Sequence, residues 1–352
     1  MKPVIIFDNI IYSLQKAGGI SAFWNILTNK VSASGIFDCY FLEYPGAEDN
    51  LFRKNTPISS DKIIRGKALP FGIHRILEPY LPPEVTQRPF IFHSSYYRTF
   101  THPKARIVST FHDLTHEHGG DGNFITRPLM RGMHAAALKK SSHIVCVSNY
   151  CRDDIKKTFR KISPKAISVA YNAPVNAGGL NEAVSGDYLL FVGARDDYKN
   201  FRFAVELSQR TGIPLKVAGM PFTSKELKQI EGLPVELFEY PDAATMSSLY
   251  QGALALIFMS EYEGFGIPIT EAQSYGCPVL AFRRSAVPEI AGEGAILLNE
   301  LSLDKAVEEL GKLKDTNYRT ILIEKGKENV KRFDWNQTAK RYIEIYSSLL
   351  SR

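Results

Sequence analysis

Short apolar runs recur along this chain, each followed by a stretch of helical period, and the alternation breaks only once. In the first half, the runs at 4–7, 90–93, 106–111 and 143–147 read as strands buried on both faces. Helical patterns lie between them, at 21–28 with Phe23, Trp24, Ile26 and Leu27, and at 129–140. From Asn172 to Asp187 the period disappears, and the segment holds three Gly and one Pro. That composition suits a linker and hinge. The rhythm then restarts, with strands expected at 188–192, 215–218, 235–238, 253–259, 278–282 and 294–298. Helices are expected at 201–210, 245–252, 268–275, 304–313, 321–331 and 335–349.

The economical reading is an α/β chain of two consecutive doubly wound, Rossmann-like domains. Its boundaries are 1–172, a linker at 173–187, a second domain at 188–334, and a closing helix at 335–352. At 352 residues the chain is too long for one ordinary core. No apolar run approaches the ~20 residues of a membrane-spanning helix. The start, Met1-Lys2-Pro3 before Val4-Ile5-Ile6-Phe7, reads as a first strand and not as a leader, so a cytoplasmic protein is expected. Cys39, Cys146, Cys151 and Cys277 form no C-x-x-C pair and have no His at ligand spacing, so neither disulfide nor structural metal is expected.

Charge is uneven. The first 175 residues carry 23 Lys and Arg against 13 Asp and Glu, and the remainder carries 20 against 24. A basic cluster of Arg53, Lys54, Lys62, Arg65, Lys67 and Arg75 leads into Phe71, Ile73, Leu77, Tyr80 and Leu81. Such an edge could rest on an anionic membrane surface. No recognised nucleic-acid module accompanies it.

In open parallel sheets, ligands bind beyond the C-terminal strand ends. One strand-end loop there runs Ser260-Glu-Tyr-Glu263-Gly264-Phe265-Gly266-Ile267-Pro268-Ile-Thr-Glu271. Its glycines permit close backbone approach, and Pro268 suits a first helical turn whose free N–H groups attract a diphosphate. Glu263 and Glu271 would be unfavourable beside phosphate unless they accept hydrogen bonds from sugar or ribose hydroxyls. Otherwise Glu263 caps the turn and Glu271 is a solvated helix residue. A second loop, Gly193-Ala194-Arg195-Asp-Asp-Tyr-Lys199-Asn200, places two cations at a strand end. These could neutralise a pyrophosphate, or pair with Asp196 and Asp197. A third loop holds Gly18-Gly19-Ile20, weak by itself but well placed to face the second domain across a cleft.

Taken together these motifs resemble family-4 retaining glycosyltransferases of the GT-B fold. Glu263 to Glu271 matches that family's E-x7-E motif, and the likeness continues through Gly276-Cys277-Pro278 and Val287-Pro288-Glu289-Ile290. Phe7-Asp8-Asn9, Phe111-His112-Asp113 and Val147-Ser148-Asn149 are similar to its remaining signatures. The resemblance implies two domains facing a cleft, with the last helix crossing back to the N-terminal one. By the same resemblance Glu263 would sit beside the donor hexose, and Glu271 would hold the ribose. Backbone groups of Gly264, Phe265, Gly266, Ile267 and Pro268 would meet sugar and phosphate. Arg195 and Lys199 would stabilise the departing diphosphate, with Gly18 and Gly19 close by. His112 would lie near the anomeric carbon, Tyr240 would contact the base, and Asp113 and Ser148 would meet the acceptor. One departure stands out: many members place Arg directly after the strand-end Gly, where this chain has Ala194.

The implied reaction moves a hexose from a nucleoside-diphosphate sugar to a glycan or lipid-linked saccharide in bacterial surface polysaccharide synthesis (O-antigen or capsule). A GDP-mannose-type donor is favoured, and a UDP-sugar is the alternative. No Asp-x-Asp motif sits at a strand end, so neither a catalytic metal nor a cofactor is expected. A sugar-nucleotide-binding protein without catalysis is the reading from a different class. A nicotinamide enzyme is disfavoured by the missing glycine fingerprint, and a nucleotide-sugar epimerase by the E-x7-E constellation.

Overall fold

The computed structural model describes residues 2–67, 69, 74, 76–119, 126–175 and 186–351. The chain divides into two units, residues 1–172 with 335–352, and residues 173–334. The first unit contains β1 (Val4–Asp8), α1 (Gly19–Ala33), β2 (Asp38–Glu43), α2 (Leu51–Lys54), β3 (Ile63–Arg65), α3 (Pro83–Thr86) and β4 (Phe90–Ser94). It continues with β5 (Ala105–Phe111), α4 (Thr126–Lys140), β6 (His143–Cys146), α5 (Asn149–Thr158) and β7 (Ile167–Val169). All seven strands are parallel, in the order β3-β2-β1-β4-β5-β6-β7.

The second unit begins with β8 (Tyr188–Val192), α6 (Phe201–Thr211), β9 (Leu215–Gly219), α7 (Ser224–Gln229), β10 (Val235–Glu239), α8 (Ala243–Gln251) and β11 (Ala253–Phe258). It continues with α9 (Ile267–Ser274), β12 (Val279–Phe282), α10 (Val287–Ala291), β13 (Ile296–Leu298), α11 (Leu303–Lys312) and α12 (Thr316–Val330). Its six parallel strands run β10-β9-β8-β11-β12-β13. Both faces are covered: Leu189, Phe191, Leu215 and Ile257 pack into one apolar layer, and Leu190, Leu256, Phe258 and Ile269 into another. Continuous apolar strands are what such double coverage demands.

Helix α13 (Trp335–Leu350) packs in the first unit, against α1 and β4. It buries Trp335, Ala339, Tyr342, Ile345 and Tyr346. Apolar contact is joined there by a buried polar chain. His93 Nδ1 lies 2.6 Å from Tyr346 Oη and its Nε2 lies 3.0 Å from Thr110 Oγ1, which is 2.7 Å from Tyr342 Oη. Burial pushes the His93 pKa down to about 3, so the ring is neutral and joins the chain as donor and acceptor.

In each sheet the strand order reverses direction once, between β1 and β4 and between β8 and β11, and such switch points are where open sheets bind ligands. At the first, Asp8 at the end of β1 pairs across to Ser94 at the end of β4. Its carboxylate accepts from Ser94 Oγ (2.7 Å) and Arg98 Nε (2.8 Å). Arg98 also donates to Tyr44 Oη at 2.9 Å and to the His74 carbonyl at 2.6 Å. Both charged side chains are fully buried, so this switch point carries an internally neutralised ion pair.

The basic edge is less charged than its sequence implies. Arg53 pairs with Glu43, and Lys62 lies 2.7 Å from Asp38. Lys54, Arg65 and Lys67 are exposed, as are Leu77 and Tyr80, while Leu81 is buried. Phe71, Ile73 and Arg75 lie outside the described residues, as do residues 176–185 of the expected linker. No helix among the described residues is long and apolar enough to cross a membrane. All four cysteines are buried and carry no disulfide.

Candidate functional site

The second unit's switch point gathers most of the expected donor-site residues. The loop after β8 and the loop after β11 are tied together by main-chain and amide contacts. Glu261 N–H donates to the Tyr198 carbonyl (2.8 Å), and Asn200 Nδ2 donates to the Met259 carbonyl (2.8 Å). Asn200 sits in the left-handed region (φ 52°), where asparagine is among the residues tolerated. These ties bring Lys199 Nζ to 3.1 Å from Glu263 Oε1, with both side chains under one-fifth exposed. Glu263 is held in turn by Ser285 after β12, whose Oγ accepts its N–H at 2.8 Å.

After Glu263 the chain turns through buried Gly264, Phe265 and Gly266 into α9. Gly266 has φ 100°, a conformation that side chains rarely adopt, and this sharp turn aims the helix start at the strand ends. No side chain caps α9. Pro268 has no N–H, and Ile269 N–H donates to the Gly266 carbonyl at 3.0 Å. The Phe265 side chain belongs to the core, edge-on to Phe333 at 5.4 Å, so only its backbone can serve a ligand. Glu271 is buried within α9 and not solvated, and its Oε2 accepts from Tyr250 Oη at 2.8 Å. Burial and the Glu271 charge push the Tyr250 pKa well above its usual value, so the phenol stays a donor.

Arg195 departs from expectation. Instead of standing open beside Lys199, it is folded onto the β9–α7 connection. Its Nη1 and Nη2 donate to the carbonyls of Met220 (2.9 Å) and Pro221 (2.7 Å), and its Nε donates to Glu226 Oε1 at 2.5 Å. Nor does it pair with Asp196 or Asp197. Tyr240 lies after β10 with φ 42°, its N–H bonded to the Gly219 carbonyl at 2.9 Å.

The remaining expected residues lie in the first unit. His112 follows β5 and is buried, edge-on to Phe23 at 4.8 Å. Burial lowers its pKa to about 4 against the opposing charge of Asp113, so it is a neutral imidazole. Asp113 Oδ1 accepts the Thr115 N–H at 2.9 Å, a local turn contact. Ser148 is fully buried, and its Oγ caps α5 by accepting the Cys151 N–H at 3.0 Å. Gly18 precedes α1, its carbonyl accepting the Ala22 N–H at 3.0 Å, and Gly19 is exposed at the first helical position.

Tyr250, Ser285, Asn200 and Glu226 are site neighbours to which the sequence motifs assign no role. Of these, Glu226 had a readable signal: Thr223-x-x-Glu226 is a capping box, and both of its reciprocal bonds are present. Among the described residues no three His, Cys, Asp or Glu side chains form a group able to hold a metal ion.

Two consecutive doubly wound parallel-sheet units are the architecture of the GT-B fold. Residues 37–173 match the family described as Glycosyltransferase Family 4, and residues 178–329 that described as Glycosyl transferases group 1. The chain belongs to glycosyltransferase family 4. It is 26% identical over 278 residues to O-antigen chain mannosyltransferase B of Escherichia coli, covering 70% of this chain and 72% of that one. It is 27% identical over 218 residues to O-antigen chain mannosyltransferase RfbU of Salmonella typhimurium, covering 58% and 61%. The fold is similar to that of sucrose-phosphate synthase from Thermosynechococcus elongatus, with TM-score 0.75, 16% identity and full coverage of both chains.

Proposed function

We propose that this glycosyltransferase moves a hexose, with retention of anomeric configuration, from a nucleoside-diphosphate sugar to a glycan or lipid-linked saccharide during surface polysaccharide assembly. A GDP-mannose-type donor is favoured by the mannosyltransferase names of the two relatives above. A UDP-sugar is the alternative within the same fold. The observation that carries the reading is the Lys199–Glu263 pair, 3.1 Å apart beside the uncapped start of α9.

In this reading Lys199 and the N–H groups of the Gly266–Ile267 turn face the diphosphate. Charge grows on the leaving phosphate as the anomeric bond breaks, so groups aimed there stabilise the transition state more than the ground state. Glu263 accepts from sugar hydroxyls, and Glu271, oriented by Tyr250, accepts from the ribose. His112 is proposed as a neutral hydrogen-bonding neighbour of the reacting sugar. The leaving phosphate is proposed to help deprotonate the acceptor on the same face, with no covalent intermediate and no metal. Exposed Arg65, Lys67 and Tyr80 support a cytoplasmic protein resting on the inner membrane face.

The test is calorimetric titration of the purified protein with GDP, UDP and ADP, each with and without EDTA. Selective, EDTA-insensitive binding of one diphosphate is expected, with GDP first. Absence of binding to all three overturns the donor-site reading and leaves the non-catalytic alternatives no better placed.

A further inference from the structure

Arg195 and Lys199, both expected to stabilise the departing diphosphate, have different surroundings in the structure. We infer that Arg195 is a positioning residue that sets the nucleotide-binding conformation of the segment after β9, and that Lys199 alone supplies the loop's charge to the leaving diphosphate. This rests on the donor-site reading above.

The guanidinium is closed in on every side. Its side chain is 3% exposed, its Nη atoms face two main-chain carbonyls, and Glu226 takes both Nε and Nη2. It lies 4.5 Å over the Phe222 ring. Glu226 is equally committed, also accepting the Thr223 N–H and Oγ1–H at 2.7 Å each. Burial works to raise the Glu226 pKa, but the hydrogen bonds from Arg195 and Thr223 bring it down to about 2. An arginine already neutralised by a carboxylate offers a dianionic phosphate little net attraction. Its planar fork is instead well matched to fixing two carbonyls and a carboxylate in one geometry.

What it fixes borders the site. A Cβ at Gly219 would stand 2.6 Å from the Gly193 carbonyl oxygen, so the β8 and β9 loops touch backbone to backbone. The same Gly219 accepts the Tyr240 N–H through its carbonyl. The segment clamped by Arg195 therefore bridges the Lys199 loop and Tyr240, the two sides between which the nucleotide is proposed to lie. A segment already ordered before binding loses less entropy when the ligand arrives, so the clamp acts on affinity.

Full-length wild type, R195A, E226A, E226Q and the double variant R195A/E226A are compared in two readouts. These are Kd for whichever of GDP, UDP or ADP the wild type binds, and kcat for turnover of the corresponding donor sugar. Each alanine variant is expected to weaken nucleotide binding about tenfold, with kcat within about twofold and the double variant no worse than either single. E226Q, which keeps the Thr223 contacts, falls between, and amide exchange across 220–226 accelerates in all four. A kcat loss of about a hundredfold in R195A, with E226A retaining or exceeding wild-type turnover, would show that Arg195 serves the leaving group and overturn the inference. Wild-type affinity in E226A would overturn it as well. A wild type that binds no nucleoside diphosphate removes the donor-site reading itself, a failure distinct from either.

Discussion

Replacing Lys199 by alanine removes the ammonium lying 3.1 Å from Glu263 Oε1 and, in the proposed donor site, leaves that carboxylate facing the diphosphate alone. Two effects follow, and they separate experimentally. Loss of a donor aimed at developing phosphate charge costs about 3 kcal/mol of transition-state stabilisation, or about a hundredfold in kcat. Loss of the neutralising partner costs more, because the Glu263 side chain is only 16% exposed and its charge is poorly screened. At ~4 Å, two unit charges repel by about 1 kcal/mol in water and several times that near a protein surface. Free nucleoside diphosphate carries no sugar, so its affinity isolates the second effect from Glu263's proposed contact with the hexose. In K199A, adding E263Q is expected to recover about tenfold in that affinity, whereas E263Q alone changes it less than threefold. The assays are calorimetry for affinity and release of nucleoside diphosphate from GDP-mannose for kcat. Turnover of K199A within about threefold of wild type would exclude a role for Lys199 at the leaving phosphate, and an E263Q effect that is the same in both backgrounds would exclude the proposed coupling to Glu263.

Three further outcomes are expected. Y250F removes the phenol that donates to buried Glu271, and should cost about 1–2 kcal/mol of stability and weaken nucleoside diphosphate binding more than it slows turnover, as read by thermal unfolding and calorimetry. G266A forces a Cβ onto φ 100° and to 3.2 Å from Ile269 Cδ1, so it should destabilise the second unit by about 1–3 kcal/mol and displace the start of α9, seen as lost nucleotide affinity. His93 and His112 have folded pKa values lowered to about 3 and about 4, below the usual ~6.5 of an unfolded histidine, so the unfolded chain binds more protons between those values. Stability from these two residues is therefore complete above about pH 6.5 and falls as pH drops, by about 2 kcal/mol each at pH 5. Thermal midpoints measured from pH 7 to 5 should show this fall, and H93Q should be less pH-sensitive than wild type, though less stable at pH 7.

The central strands were legible because burial on both faces leaves an uninterrupted apolar run, as in Tyr188–Val192, which was read to the residue. The strands not anticipated were β2, β3 and β7. β2 begins and ends on half-buried Asp38 and Glu43, and β3 and β7 are three-residue edges. Helix α5 escaped notice because its buried side chains are Cys151, Asp154 and Ile155, which leave hardly any apolar period. In the site, Lys199, Glu263 and Glu271 could be named from the motif and its place after a strand. Their holders could not: Tyr250 reads as one more core aromatic, and Ser285 lies 22 residues beyond the glutamate it positions. The partner of Arg195 was hidden for the same reason. Asp196 and Asp197 beside Arg195 are visible in sequence, but its true partner, Glu226, lies 31 positions away across a strand.

The reaction itself is tested most directly by incubating the purified protein with GDP-α-mannose and an octyl α-mannoside acceptor, then reading the new linkage by NMR. An α-linked product is expected, its formation persisting in EDTA and lost in K199A and H112A. A β-linked product would contradict retention. A stable mannosyl adduct on Glu263, found by intact mass, would contradict the same-face route. No transfer from GDP-mannose or from any UDP-hexose, by a protein that binds the matching diphosphate, would contradict the assignment as a hexosyltransferase.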